Sequence, residues 1–137
     1  MSDVCVFCKI IAREIPAAIV FEDDVSIGFL DITPLFPGHV LLAPKAHAQT
    51  LTDLPADSVG PLFLNARKLT RAVEIAMAAP GSFIGINNRV SQSVPHLHIH
   101  IVPRRPKDGL RGFFWPKNPY SGPEQIKETA DKIRAAL

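Results

Sequence analysis

The stretch His96-Leu97-His98-Ile99-His100-Ile101-Val102 alternates imidazole with aliphatic side chains. Residues two apart in a strand share a face and stand about 6.6–6.8 Å apart. Three histidines therefore share one face, and Leu97, Ile99 and Ile101 share the other. An imidazole buried without a partner is costly, and each titrates near neutrality. Three at consecutive same-face positions mark a site of chemistry more than an ordinary half-buried sheet surface.

Four more strands are expected around this one. Ala17 to Glu22 and Val25 to Leu30 are β-rich runs separated by Asp23-Asp24, which suits an antiparallel hairpin. His39-Val-Leu-Leu-Ala43 is a compact apolar run ended by Pro44 and reads as a central strand. Ser82 to Asn87 precedes the polar loop Asn88-Arg-Val-Ser-Gln-Ser-Val94, which leads into the histidine strand. Between the third and fourth strands a long helix is predicted from about Ala56 to Ala78, with Val59, Leu62, Phe63, Ala66, Leu69, Val73, Ala76 and Met77 repeating at three and four residues. Pro61 is compatible with that helix only in its first turn, which leaves a start later than Ala56 open. A short N-terminal helix places Phe7, Ile10 and Ile11 at helical spacing before Pro16, and a C-terminal helix from about Pro123 carries Ile126, Ala130, Ile133 and Leu137 on one stripe. Strands and helices do not alternate strictly, so the class is α+β with a mainly antiparallel, five-stranded sheet.

Composition narrows the setting. With 137 residues, 47% hydrophobic and 20% charged, the chain reads as a single domain over residues 1–137 that needs no disulfides, with a core over about 4–105 and a C-terminal extension over 106–137. No apolar run approaches the roughly 20 residues of a membrane span, and the N-terminus lacks a basic segment leading into an apolar one, so a cytoplasmic protein without a membrane is expected. A net charge of +2 is too small to argue for binding a nucleic-acid duplex. In a reducing compartment, the spacing Cys5-x-x-Cys8 suggests metal ligands or redox thiols.

Two chemistries compete for the histidine face. Three imidazoles can hold a catalytic zinc with an open position, or one can act as a nucleophile while others bind anions. The five histidines are His39, His47, His96, His98 and His100, and the two cysteines are the other soft ligands. A closed structural zinc takes four ligands, commonly two Cys and two His. Cys5, Cys8 and His47 supply three, and one end of the histidine strand offers a fourth, leaving two strand histidines and His39 for a substrate.

The run Ser93-Val-Pro-His-Leu-His-Ile-His-Ile-Val-Pro103 resembles the defining motif of the histidine triad (HIT) family of nucleotide hydrolases and transferases. Further matches are Cys5-Val-Phe-Cys-Lys-Ile-Ile11, Glu22-Asp-Asp24, Phe29-Leu-Asp-Ile32, Pro37-Gly-His-Val-Leu-Leu-Ala-Pro-Lys45 with His47, and Asn87-Asn88. The resemblance implies one structural zinc per chain on Cys5, Cys8, His47 and His96. It also implies that His98 is a nucleophile forming a nucleotidyl-imidazole intermediate, that His100 and His39 contact or orient around the phosphate, and that Ser93 and Gln92 lie near the leaving group and phosphate. Asp31 would accept from the ribose hydroxyls, Val6, Phe7, Ile10, Phe29 and Ile32 would wall the purine, and Asn87 would sit near the sugar or phosphate. The implied substrate is a purine nucleotide conjugate, a phosphoramidate or dinucleoside polyphosphate, and the implied assembly is a homodimer.

The chain departs from the family pattern at Ser91, where relatives usually carry Gly, and in the segment Arg104 to Lys117, whose basic residues with Phe113, Phe114 and Trp115 suit an anion patch or an apolar contact. Two other functions stay open on the sequence: a nucleotide-binding scaffold with little turnover, and a metallohydrolase with zinc on all three triad histidines.

Overall fold

The computed structural model describes residues 4–110 and 117–137; of the Arg104 to Lys117 segment, Arg111, Phe113, Phe114 and Trp115 lie outside the described residues. The chain groups into two compact units, Met1–Pro106 and Lys107–Leu137. In the first, α1 (Val6–Ile11), β1 (Ile19–Glu22), β2 (Ser26–Leu30), β3 (Val40–Pro44), α2 (Ala56–Ala76), β4 (Gly81–Gly85) and β5 (Ile99–Arg104) follow in order. The second carries α3 (Pro123–Ala136), with proline in its first turn and its apolar stripe exposed at Ile126 and Ile133.

The five strands form one antiparallel sheet in the order β1-β2-β3-β5-β4, as the α+β reading requires. Every residue of β3 is buried, which accounts for its continuous apolar run. Its side chains alternate between two cores. Val40 and Leu42 join Ile99 and Ile101 of β5 against Leu62, Ala66, Leu69 and Val73 of α2. On the opposite face, Leu41 and Ala43 pack with Phe29 and with Cys5, Phe7, Cys8 and Ile10 in and beside α1. The triad histidines thus belong to the α1 side of the sheet, and the long helix supports it from behind.

Proline shapes two of the element boundaries. The helix α2 starts at Ala56, with Pro61 beyond the first turn. The carbonyl that loses its partner is that of Asp57, an exposed residue whose oxygen water can satisfy. Regular strand pairing begins at Ile99, not His96. Pro95 has no N–H to give a ladder, and the Leu97 N–H goes instead to the Ala48 carbonyl at 2.7 Å. His96 and His98 therefore stand on an approach to the strand that is anchored to the 48 loop. Phe63 is 39% exposed and lies outside the buried stripe of α2.

Gly38 sets the entry to β3. Its φ is +96°, and a Cβ there would lie 2.5 Å from Met77 Cγ, so only glycine lets the chain turn directly into His39.

Candidate active site

The hydrogen bonds around the four buried or half-buried histidines of this region fix which ring nitrogen carries the proton. His96 Nε2 lies 2.8 Å from the Pro44 carbonyl, so it is the donor and Nδ1 keeps the lone pair. His98 Nδ1 lies 2.7 Å from the His96 carbonyl, which leaves Nε2 as its free base. The Leu35 N–H donates to His39 Nδ1 at 3.1 Å, so the His39 proton resides on Nε2, 3.0 Å from His100 Nδ1. His100 Nδ1 accepts that proton's bond and carries its own hydrogen on Nε2. The Asp31 carboxylate comes within 3.9 Å of His39 Nδ1, but a nitrogen that accepts an N–H is uncharged, and no ion pair forms.

Burial keeps these rings neutral. It pushes His96 and His98 below 6.5 despite a backbone carbonyl on each that favours the cation. His39 is lowered by burial and, less, by His98, with Asp31 opposing. His100 falls from 6.5 to about 4, through burial first and then the neighbouring His98 and His39. Above pH 6.5 His100 is uncharged in both folded and unfolded chains and its shift has no effect on stability. Below 6.5 the unfolded chain takes up a proton that the fold refuses, so stability falls between about 6.5 and 4, by at most about 1.4 kcal/mol per pH unit for each such histidine. Urea midpoints measured from pH 7 to 4 are expected to fall along this slope, and His100→Gln is expected to flatten it. An unchanged slope in that variant would show that His100 is not held neutral.

His98 and His100 open onto a cavity of about 310 Å³. Val6, Phe7, Ile10, Phe29, Asp31, Ile32 and Ser93 all line it, so these expected residues are brought together with the two triad histidines. Ile15, Pro16, Ala17, Leu30, Thr33, Leu41 and Val94 also line it, unforeseen from sequence. Asp31 lines it with Oδ1 accepting from the N–H and hydroxyl of Thr33, while Oδ2 faces His39 Nδ1 at 3.9 Å. His39 is not in the lining; it stands behind His100.

Two expected residues lie elsewhere. Asn87 is exposed beyond β4 and does not line the cavity. The Gln92 amide is occupied in holding the loop: Nε2 donates to the Gln49 carbonyl at 2.7 Å and Oε1 accepts the Arg89 N–H at 2.9 Å. Ser91, in the same loop, has φ +62°, the left-handed conformation that glycine adopts without strain.

Beside the cavity, Cys5, Cys8, His47 and His96 place their sulfur and nitrogen atoms within 4.8 Å of one another. His96 Nδ1 is 3.4 Å from Cys5 Sγ and 3.6 Å from Cys8 Sγ, and His47 Nδ1 is 3.3 Å from Cys8 Sγ. A tetrahedral zinc with bonds of about 2.3 Å to sulfur and 2.0–2.1 Å to nitrogen sets about 3.6 Å between those atoms. The cluster fits. Burial and the adjoining Cys5 push the Cys8 thiol up to about 11, and a bound metal would reverse that balance by holding the thiolate. Among the described residues no ligand group contains His96, His98 and His100 together, so nothing in the geometry favours zinc on the triad itself.

Residues 12–107 match the family model described as HIT domain. The chain is 34% identical over 136 residues to the adenosine 5'-monophosphoramidase hnt1 of Schizosaccharomyces pombe, spanning 97% of this chain and 98% of that protein. It superposes on a solved structure of a HIT family member from Bacillus subtilis with a TM-score of 0.88 at 33% identity, covering 98% of each chain. A zinc-bound histidine triad family protein from Mycobacterium smegmatis gives a TM-score of 0.74 at 32% identity, again over 98% of each.

Proposed function

Because the chain belongs to the HIT family, we propose that it is a nucleotide hydrolase or nucleotidyl transferase that acts at the α-phosphate of a purine nucleotide conjugate through a covalent intermediate on His98. The observation that carries this reading is the order of tautomers. The His96 carbonyl holds the His98 proton on Nδ1 and leaves Nε2 as a neutral nucleophile beside the cavity.

In the first step His98 Nε2 attacks the α-phosphorus, and the bond from phosphorus to the leaving group breaks with its electron pair going to that group. Nδ1–H stays on the His96 carbonyl, which stabilises the cationic nucleotidyl-imidazole. His39 holds His100 with Nε2–H free to donate to a non-bridging oxygen as charge develops there. Ser93, exposed in the cavity wall, is placed to hydrogen-bond the leaving atom, which is protonated from solvent. In the second step water, or an acceptor in the transferase variant, attacks the same phosphorus and the P–N bond breaks, returning neutral His98. The apolar wall receives the purine, and the Asp31 carboxylate accepts from the ribose. Adenosine phosphoramidates suit this site, since the S. pombe relative is named an adenosine 5'-monophosphoramidase.

Zinc fits Cys5, Cys8, His47 and His96 as a structural ion, one per chain, which supplies cross-linking of three chain segments. Both cysteines are free thiols, in keeping with a reducing cytoplasm. No helix among the described residues is long and apolar enough to cross a membrane. The strand β4 ends the sheet with Ile84 40% exposed, which suits edge-to-edge pairing in a homodimer. We read residues 1–137 as one functional domain, core plus extension.

Stereochemistry tests the covalent step. Two in-line displacements are expected to return a chiral α-phosphorothioate with retained configuration. Inversion would mean that water attacks directly, with no nucleotidyl-histidine.

A further inference from the structure

The four metal donors come from three separate stretches of chain, and each stretch also builds part of the nucleotide cavity. The first is α1. At six residues it is too short to persist alone, and Cys5 Sγ caps it by accepting the Cys8 N–H. Ligation at Cys5 and Cys8 therefore secures the helix at its start and its middle. Between the ligands sits Phe7, whose ring packs edge-on against His98 at 4.9 Å, His96 at 5.8 Å and Phe29 at 5.2 Å while also lining the cavity.

The second stretch follows His47. The Gln49 carbonyl takes the Gln92 amide at 2.7 Å, and the Leu51 N–H goes to Asn88 Oδ1 at 3.0 Å. The loop that leads to Ser93 is tied to a segment that His47 anchors. The third stretch is His96 itself, whose carbonyl sets the proton of His98.

We infer that metal binding at Cys5, Cys8, His47 and His96 and nucleotide binding in the adjoining cavity are thermodynamically coupled, with Phe7 as the positioning residue that links the two. This rests on the zinc and nucleotide assignments made above. Ordering α1, the 47–51 segment and the approach to β5 is required for both ligands, so whichever binds first removes part of that requirement for the other. The coupling must be reciprocal. Phe7 has its own part: it holds the nucleophilic ring by its edge, and its backbone lies between two ligands.

Calorimetric titration with adenosine 5'-monophosphate of zinc-loaded and chelator-treated full-length protein tests this. Affinity is expected to weaken by about tenfold or more without metal, and saturating nucleotide is expected to tighten zinc binding by the same factor. One zinc per chain with equal nucleotide affinity in both forms would overturn the coupling alone. Zinc absent from protein grown with it would overturn the metal assignment, and zinc-loaded protein that binds no nucleotide would overturn the cavity assignment. Should the stripped protein unfold, cobalt(II)-loaded protein keeps the test open. Its visible absorption bands are expected to shift when adenosine 5'-monophosphate binds and to shift much less in Phe7→Leu. Bands that do not move in the wild-type protein would also overturn the coupling.

Discussion

His98→Ala is expected to lower turnover of an adenosine phosphoramidate by at least about 10⁴-fold, because removing a covalent nucleophile eliminates the pathway and leaves only binding and charge stabilisation. The loss should fall on kcat. The residues proposed to hold purine and ribose, Val6, Ile10, Phe29 and Asp31 among them, stay in the cavity wall, and of that set Phe7 packs its ring on the one deleted. The variant should fold and keep the proposed zinc site, since the His96 side chain, whose Nε2 is held by Pro44, does not depend on His98. Retained turnover at the wild-type rate in a folded, zinc-loaded variant would remove His98 from the mechanism. The residual activity that remains measures what His100 and Ser93 supply on their own.

Cys8→Ala should have the largest effect on stability. It removes one of the four proposed ligands and leaves Cys5, His47 and His96 too few to complete a tetrahedron. A ligand bound at 1,000 times its dissociation constant stabilises the fold by about 4 kcal/mol, so losing it should lower the thermal midpoint by roughly 10–15 °C in a chain of this size. Part of that loss comes from α1, where the same residue is buried beneath Phe7 and Ile10 in the second core. Metal analysis and a thermal melt with and without added zinc check this. The wild-type midpoint should rise with zinc and the variant's should not; equal midpoints and equal metal content would mean that the cluster holds no structural ion.

What could be read from sequence, and what could not, follows from where each residue's role is determined. The triad, Cys5-x-x-Cys8 and the stripe of α2 repeat at fixed spacings, and local geometry turns spacing into a shared face. The five strands and three helices follow from those periods. The remainder of the cavity is assembled by tertiary contact. Ile15, Pro16 and Ala17 enter its wall after the end of α1, where Ile15 and Ala17 pack on the core cluster that holds Phe29, and no period marks them. Gln92 illustrates the opposite case. Its residue type suits a phosphate ligand, but both amide atoms are needed by backbone groups of the loop, a partnership that only coordinates reveal. The same holds for His39, which by position after Pro37-Gly38 belongs to the site and by contact stands one ring behind it.

Ser91 shows how far a departure from family pattern can be read. Ser91 takes a glycine-like φ of +62° although its side chain is present, so the residue bears backbone strain that glycine would not. That loop is tied down at Asn88 and at Gln92, which is where the cost of holding Ser91 is met.

The most direct measurement is mass analysis of the protein quenched with alkaline denaturant during turnover of an adenosine phosphoramidate, since a phosphorus–imidazole bond survives base better than acid. A nucleoside monophosphate attached to His98, and to no other histidine, is expected, with the adduct absent from His98→Ala. Rapid turnover in which His98 never carries the nucleotide would contradict the central claim.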